Sequence, residues 1–266
     1  MQKQKICIIG GSLTGLVTAI ALSKLNCDID LITNSSITNS SNNRTTAISH
    51  SNLKFLETLN ISRSLKKYTW PCSQIKLYTK NSDNNFSEVF ELNKKEKNKE
   101  VFYMVENSKL LRLMINKIKK IESISINKNH TISEITDSGL LKEVRFKNKN
   151  YKYNLVIICT GSNSNLVKKI FKEKIIGGSY EESSLTSVIS HASLNNKTAR
   201  QFFFKNEILA LLPISNNKTS AVLVAKNFDS KSDLFFKKKV NEYSKNYLKK
   251  INFLNKIEHK DLTFLI

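Results

Sequence analysis

The chain is poor in the residues that mark several classes of protein. Its 266 residues include only four cysteines and two prolines. The cysteines have no C-x-x-C spacing, which argues against disulfides and zinc alike. No apolar run approaches the roughly 20 residues that span a bilayer, and the start "MQKQK" leads into a strand pattern rather than a signal peptide. The sequence therefore predicts a soluble, cytoplasmic chain.

Arginine is also scarce, although the formal net charge is +21. It occurs only at Arg44, Arg63, Arg112, Arg145 and Arg200, while lysine, asparagine and isoleucine abound. This bias is typical of an A+T-rich coding sequence rather than of a phosphate-binding surface, so we expect no nucleic-acid partner. A peripheral contact with the inner membrane surface stays open, because "KKEKNK" and "LFFKKKV" could lie near anionic headgroups. A solvated lysine face is the simpler interpretation.

The hydrophobic content of 40% suffices for one large α/β domain or two smaller ones. A strand (Lys5–Ile9), a tight turn, a helix (about Thr14–Leu25) and a strand (Asp28–Thr33) open the chain, an order that predicts a right-handed crossover in a parallel sheet. The polar run "NSSITNSSNNRTT" predicts a loop. "SHSNLKFLETLNI" predicts a helix with Ser49 or Ser51 as its N-cap.

From Trp70 the hydrophobic period changes to two, and "SQIKLYTK" and "FSEVFELN" predict a hairpin around "NSDNN". A helix (Asn107–Ile121) follows, then strands in "SISIN", "ISEIT", "LKEVRFKN" and "KYNLVIICTG". The last is apolar over Leu155–Cys159, which predicts a strand buried on both faces. Alternating segments beyond Gly177 predict an antiparallel sheet, closed by a lysine-rich helix (Lys231–Lys250) and a strand in "KDLTFLI". The chain is therefore predicted to be α/β, with a parallel sheet and a mixed or antiparallel one.

The opening "IIGGSLTG" resembles the G-x-G-x-x-G turn of dinucleotide-binding proteins. In that turn Gly10 would permit the sharp corner and Gly15 the close packing of helix on strand, while helix N-terminal amides face a pyrophosphate. Ser12 replaces the middle glycine and adds a Cβ where the phosphate approaches, but its hydroxyl could donate to a phosphate oxygen. Thr33 stands where an acidic ribose ligand is expected. A plain strand–turn–helix of another α/β fold is the alternative.

Three further stretches occur in a fixed order after this turn: "NNRTTAISHSNLKFLETLNI" (Asn42–Ile61), "VFYMVENSKLLRLM" (Val101–Met114) and "NLVIICTGSNSNLVKK" (Asn154–Lys169). Together with "SYEESSLTSVISH", "ARQFFFKNEILALLPIS" and "TSAVLV", they make nearly the whole chain resemble the FAD-dependent aromatic hydroxylases, the p-hydroxybenzoate-hydroxylase-like family. Within that family the resemblance is closest to the ubiquinone-biosynthesis hydroxylases.

The resemblance implies a domain order. A Rossmann-like FAD-binding domain would occupy 1–72 and 101–175, and a substrate domain would consist of the hairpin 73–100 and the sheet and helix of 176–266. The family's third cofactor segment, G-D-A-A-H, follows a strand like "KDLTFLI", where this sequence stops. We therefore expect residues 1–266 to be the N-terminal part of a hydroxylase and to be inactive alone.

The resemblance also implies individual cofactor contacts. Arg44 matches the arginine that lies against the FAD, and Arg112 the helix arginine that reaches the ribityl and pyrophosphate groups. "CTGSNS" stands in the place of A-D-G-x-x-S, with Thr160 for the aspartate. For the two arginines, a solvated loop residue and an exposed helix charge are the alternatives. The predicted FAD site consists of Gly10, Ser12, Gly15, Thr33, Arg44, Arg112, Thr160 and Gly161.

The activity implied by the resemblance is hydroxylation of the ring of a polyprenylated phenol in ubiquinone biosynthesis, with FAD as cofactor, NAD(P)H as reductant and O2 as second substrate. The four histidines show no ligand spacing and no nucleophile–base pairing, so neither a metal nor a catalytic side chain is expected. The substitutions at Ser12, Thr33 and Thr160, together with the missing third segment, leave a second hypothesis open, a non-catalytic flavin- or lipid-binding subunit with a degenerate cofactor site. A ubiquinone-biosynthesis complex is the protein partner that the resemblance implies.

Overall fold

The computed structural model describes residues 3–34, 44–61, 65–81, 85–94, 100–161, 164–170, 177–226 and 232–265. Within these ranges the helices are α1 (Leu13–Leu22), α2 (His50–Thr58), α3 (Asn107–Ile118), α4 (Asn165–Ile170) and α5 (Asp233–Ser244). The strands are β1 (Gln4–Ile9), β2 (Cys27–Thr33), β3 (Thr45–Ile48), β4 (Thr69–Cys72), β5 (Gln74–Lys80), β6 (Phe86–Asn93), β7 (Phe102–Glu106), β8 (Ile124–Lys128), β9 (Glu134–Ser138), β10 (Leu141–Phe146), β11 (Lys149–Tyr153), β12 (Leu155–Ile158), β13 (Gly177–Ser190), β14 (Thr198–Phe204), β15 (Glu207–Ser215), β16 (Lys218–Lys226), β17 (Asn252–Phe253) and β18 (Glu258–Leu265).

The chain forms two compact units. The first is built from the described residues of 1–41, 110–177 and 265–266, and the second from those of 42–109 and 178–264. The four-part division into cofactor and substrate domains stays a prediction. Among the described helices, none has both the length and the apolar character needed to cross a bilayer.

The first unit contains a parallel sheet in the order β12-β1-β2-β8. The strand–helix–strand order of β1, α1 and β2 was predicted, and the two strands pair in parallel with Ile6 opposite Ile29. The central strands are mostly apolar, and Cys7, Ile8 and Leu31 are fully buried. An antiparallel meander of β9, β10 and β11 completes the unit. The predicted Rossmann-like α/β class is confirmed.

The stretch "KYNLVIICTG" forms two strands, not the single strand predicted. Asn154 separates them: its amide donates to the Lys5 carbonyl over 2.8 Å, and its Oδ1 accepts from the Lys5 amide over 2.8 Å. The chain thereby passes from the meander in β11 to the parallel sheet in β12. Burial of β12 on both faces was also predicted, and this is wrong for the described residues, because β12 lies at the sheet edge with Leu155 47% exposed.

The second unit contains a mixed sheet in the order β17-β13-β16-β15-β14-β5-β6, with β18 also paired to β13. Neighbouring strands such as β15 and β16 run antiparallel, whereas β14 and β5 run parallel. The predicted hairpin of β5 and β6 is confirmed. One face of the sheet packs on α5, in a core that includes Tyr78, Leu185, Phe202, Leu209, Leu223, Phe236, Val240 and Tyr243.

A small antiparallel sheet, β3-β7-β4, belongs to the same unit. Thr45 and Thr46, predicted to be loop, belong to β3, because they pair with Glu106 and Val105 of β7. The rest of that predicted loop, from residue 35 to 43, lies outside the described residues. Ser49 is the N-cap of α2 and accepts a hydrogen bond from the Asn52 amide, as predicted. The helices predicted to end at Leu25, Ile121 and Lys250 end earlier, at Leu22, Ile118 and Ser244.

Candidate cofactor site

The corner between β1 and α1 lies at the carboxyl end of the parallel sheet. The Gly10 amide donates to the Ile32 carbonyl over 2.8 Å, and the Cys159 amide donates to the Ile9 carbonyl over 2.7 Å. The corner is therefore held between the ends of β2 and β12. Crevices outside the carboxyl ends of parallel strands are where α/β sheets bind their ligands.

Two glycines shape this corner because a Cβ would not fit at either position. At Gly10, φ is +121° and a Cβ would lie 2.4 Å from the Cys159 carbonyl oxygen. At Gly15, a Cβ would lie 1.9 Å from the Gly10 carbonyl oxygen. The first residue thus allows the turn, and the second allows α1 to approach it. This is the local geometry predicted for the two glycines, while their contact with a cofactor stays a prediction.

Ser12 is the N-cap of α1 but its side chain does not cap the helix. Its Oγ donates instead over 3.3 Å to the carbonyl of Cys159, the residue that follows β12. The backbone amides of the first turn of α1 have no acceptor within the helix, as in any α-helix, and this turn carries no acidic residue. The end of α1 therefore suits an anionic group.

The two threonines of the predicted site differ in exposure. Thr33, the last residue of β2, is only 4% exposed, and its carbonyl accepts from the His130 amide over 3.0 Å. Thr160 follows β12 and is exposed, and its amide nitrogen lies 3.1 Å from where a Gly10 Cβ would be. Gly161, with φ at +80°, is exposed as well. The structure therefore places Thr160 beside the corner, whereas the Thr33 side chain is buried away from solvent.

The two predicted arginines lie on separate elements. Arg44 immediately precedes β3 in the second unit, and its Nε donates to Glu258 Oε2 over 3.2 Å. Arg112 is exposed on α3, in the part of that helix that belongs to the first unit. The exposure of Arg112 and the ion pair of Arg44 are compatible with cofactor contacts, which stay predictions for both.

A polar cluster lies inside the first unit that the sequence analysis did not identify. The Tyr153 hydroxyl donates to Asp30 Oδ2 over 2.7 Å, and Asn127 Nδ2 to Asp30 Oδ1 over 3.4 Å. Burial, and to a smaller extent the nearby Asp30 charge, raise the pKa of the Cys7 thiol to about 12. Burial raises the pKa of Tyr153 too. Both groups are neutral at physiological pH, so neither is an activated nucleophile. The available signal was Asp30 between Ile29 and Leu31 in β2.

The residues at the corner fit the pyrophosphate of a dinucleotide. The backbone of Gly10 presents no side chain, α1 begins without acidic neighbours, and Thr160 lies at the same edge. The Ser12 side chain, at the middle glycine position of the motif, would narrow the approach of a pyrophosphate to this corner. Among the described residues, no group of three or more His, Cys, Asp or Glu side chains could hold a metal ion.

Solved structures share this fold at low sequence identity. PqsL of P. aeruginosa in complex with 2-aminobenzoylacetate has a TM-score of 0.72 and 12% identity, over 85% of this chain and 61% of PqsL. The p-nitrophenol 4-monooxygenase PnpA from Pseudomonas putida DLL-E4 has a TM-score of 0.73 and 12% identity, over 100% of this chain and 69% of PnpA. CtdE in complex with FAD has a TM-score of 0.69 and 11% identity, over 100% of this chain and 73% of CtdE.

Comparison with curated protein sequences gave no match. The chain spans about 61% of the length of PqsL. At the level of sequence, residues 3–261 match the family described as FAD binding domain. That match includes the glycine corner, both arginines and the "CTGSNS" segment. The chain therefore belongs to the FAD binding domain family.

Proposed function

We propose that this protein is a FAD-dependent monooxygenase that hydroxylates the aromatic ring of a polyprenylated phenol in ubiquinone biosynthesis, with NAD(P)H as reductant. The observation that carries the proposal is the corner between β1 and α1, where Gly10 and Gly15 leave no room for a Cβ. Family membership supports FAD as the cofactor. The same fold occurs in PnpA, which is named a p-nitrophenol 4-monooxygenase.

In this proposal the chain holds and orients FAD. The amides at the start of α1 bind the pyrophosphate, Gly10 gives it close access to the backbone, and Thr160 and Gly161 bind at the same edge. Arg44 and Arg112 add charge-assisted hydrogen bonds. The bound flavin supplies the chemistry, which is reduction of O2 and transfer of one oxygen atom to the ring. The protein excludes water and positions the ring.

An apolar substrate is supported by one face of the mixed sheet. Phe203 lies opposite Ile208 between β14 and β15. Their neighbours Phe202 and Leu209 are buried in the core beside α5, so Phe203 and Ile208 lie on the other face, because side chains alternate along a strand. We call this the open face. Its large exposed apolar side chains, Phe90, Leu92, Phe203 and Ile208, are between 36% and 50% exposed.

The open face suits a long hydrocarbon chain because apolar area removed from water stabilises a complex by about 25 cal/mol per Å². A contact of the protein with the inner membrane surface would bring it to a lipid-dissolved substrate. On α5, Leu234 is 77% exposed and Lys237 and Lys238 are exposed near it. A solvent-facing leucine among lysines supports a peripheral contact with anionic lipid.

The decisive experiment measures whether an oxygen atom from O2 is incorporated into the product. The full protein is purified, its flavin is identified by absorbance and by release on denaturation, and it is incubated with NAD(P)H, a prenylated phenol and ¹⁸O2. We expect bound FAD and one ¹⁸O atom in the hydroxylated product. Bound flavin without labelled product would favour the alternative, a non-catalytic flavin- or lipid-binding subunit. Protein that takes up no FAD would contradict the monooxygenase.

A further inference from the structure

The backbone of Arg44 is fixed by the first residue of α3. The Asn107 amide donates to the Arg44 carbonyl over 2.9 Å. Asn107 Oδ1 also accepts from Thr46 Oγ1 over 2.6 Å. The backbone and the side chain of Asn107 therefore both hold the start of β3 against the start of α3. The Cα of Arg44 therefore has a defined position, and the direction of its guanidinium depends on the groups that the side chain meets.

One of those groups is Glu258, the first residue of β18. Arg44 Nε donates to Glu258 Oε2 over 3.2 Å, with the two side chains 39% and 27% exposed. Both residues belong to the second unit. A guanidinium is planar and has five donors in fixed directions, so holding the Nε edge sets where the Nη groups point.

This arrangement allows two opposite effects on an anionic ligand. Glu258 could compete for the guanidinium, in which case its removal would strengthen FAD binding. Alternatively, Glu258 could hold Arg44 in the orientation that FAD requires, in which case its removal would weaken binding. The fixed backbone favours the second effect. Because the backbone of Arg44 is already held, the freedom that Glu258 restricts is the rotation of the Arg44 side chain. Lost rotamer freedom is a main cost of forming a bond with a long side chain.

We propose that Glu258 is a positioning residue, which holds the Arg44 guanidinium in the orientation that binds FAD. The proposal rests on the proposed role of Arg44 as a cofactor ligand. Glu258 acts through Arg44 and need not touch the cofactor. Its effect on binding is therefore present only while Arg44 is present, which separates a positioning role from a general loss of stability.

The test is a double-mutant cycle on FAD affinity, measured by quenching of flavin fluorescence in the full protein. Glu258→Gln removes the charge and keeps the shape. We expect it to weaken FAD binding about threefold to fivefold, the range of a partly exposed ion pair. Long-range electrostatics act in the other direction, because losing a carboxylate favours an anionic ligand. The sign of the change is therefore decisive. In an Arg44→Ala background, Glu258→Gln should leave the affinity unchanged.

Glu242→Gln is the matched control, because Glu242 also pairs with a basic side chain in the second unit, that of Lys80, at 3.7 Å. It changes the net charge equally and should not weaken binding. Tighter binding by Glu258→Gln would overturn the proposal in favour of competition. An equal loss in both backgrounds would show a structural effect instead. If Arg44→Ala binds FAD normally, the role of Arg44 fails with the proposal, whereas the monooxygenase itself fails only if the wild-type protein takes up no FAD.

Discussion

At the corner between β1 and α1, the Ser12 hydroxyl is engaged with the Cys159 carbonyl rather than with the helix. In the proposed cofactor site, its Cβ would lie where the pyrophosphate approaches. We expect Ser12→Gly to preserve or tighten FAD binding, because it removes that Cβ, and to lower stability by about 1 kcal/mol through the lost hydrogen bond and the freer glycine backbone. Flavin fluorescence titration and thermal melts measure the two effects.

Ser12→Ala separates the Cβ from the hydroxyl, since it keeps the first and removes the second. If both variants bound FAD more than about tenfold more weakly, or roughly 1.4 kcal/mol, the hydroxyl would be a phosphate ligand and its bond to Cys159 would have to give way on binding.

Among the elements, β11 is anchored to the parallel sheet by the bond from the Tyr153 hydroxyl to Asp30 on β2. Tyr153 is 2% exposed. Tyr153→Phe would deprive the Asp30 carboxylate of this donor, and we expect it to lower the free energy of unfolding by about 1–3 kcal/mol. Urea denaturation measures the change. Tyr151→Phe is the control on the same strand, because it preserves the stacking with Phe146. Equal losses in both variants would show that the hydrogen bond to Asp30 does not account for the fall in the free energy of unfolding.

Phe203 and Phe204 lie on opposite faces of β14, so their variants compare the two faces of the mixed sheet. Phe203 lies on the open face, whereas Phe204, which is 40% exposed, lies opposite Glu207 and beneath Lys80. If the open face binds the prenyl chain, Phe203→Ala should raise KM for a prenylated phenol several-fold, the value expected for about 1 kcal/mol of lost apolar contact. KM for the same phenol without its prenyl chain should not change. Phe204→Ala should change KM for neither phenol. An equal rise in KM for the prenylated phenol in both variants would contradict binding of the prenyl chain to the open face.

Over the whole molecule, neutral side chains with raised pKa values contribute to the response of stability to alkaline pH. The pKa of the Cys7 thiol is raised from 9.0 to about 12, chiefly by burial, and that of Tyr247 from 10.0 to about 12, also by burial. Between these values the unfolded chain releases protons that the native state keeps. The stability that the two groups contribute is complete below about pH 9 and is lost as pH rises toward 12.

Urea denaturation at pH 8, 9 and 10 should therefore show a falling free energy of unfolding. Cys7→Ala should make that decline shallower, whatever it costs in packing at pH 8, because the packing loss does not depend on pH. An unchanged slope would mean that Cys7 titrates normally in the native state.

Much of the fold was predictable where one local pattern suffices. The turn at Gly10, the Ser49 cap and the hairpin of β5 and β6 were each predicted from a short stretch of sequence, and each is confirmed. Features set by distant pairing were not predictable. The division of "KYNLVIICTG" depends on Lys5, the strand at Thr45 depends on β7, and the Asp30 cluster joins three separate strands. For the same reason, the partner of Arg44 on β18 could not be inferred from its surroundings in the sequence.

The pairing of β1 with β12 has a consequence for synthesis on the ribosome. β1, α1 and β2 emerge early, but one edge of β1 pairs with β12, which is made long afterwards. At about 5–20 residues per second, this interval is on the order of ten seconds. During that time the nascent chain displays an apolar strand with an open edge, which is the form most prone to pairing with other chains. We therefore expect the first half of the protein to require a chaperone during translation, and the demand to end once Cys159 has left the exit tunnel.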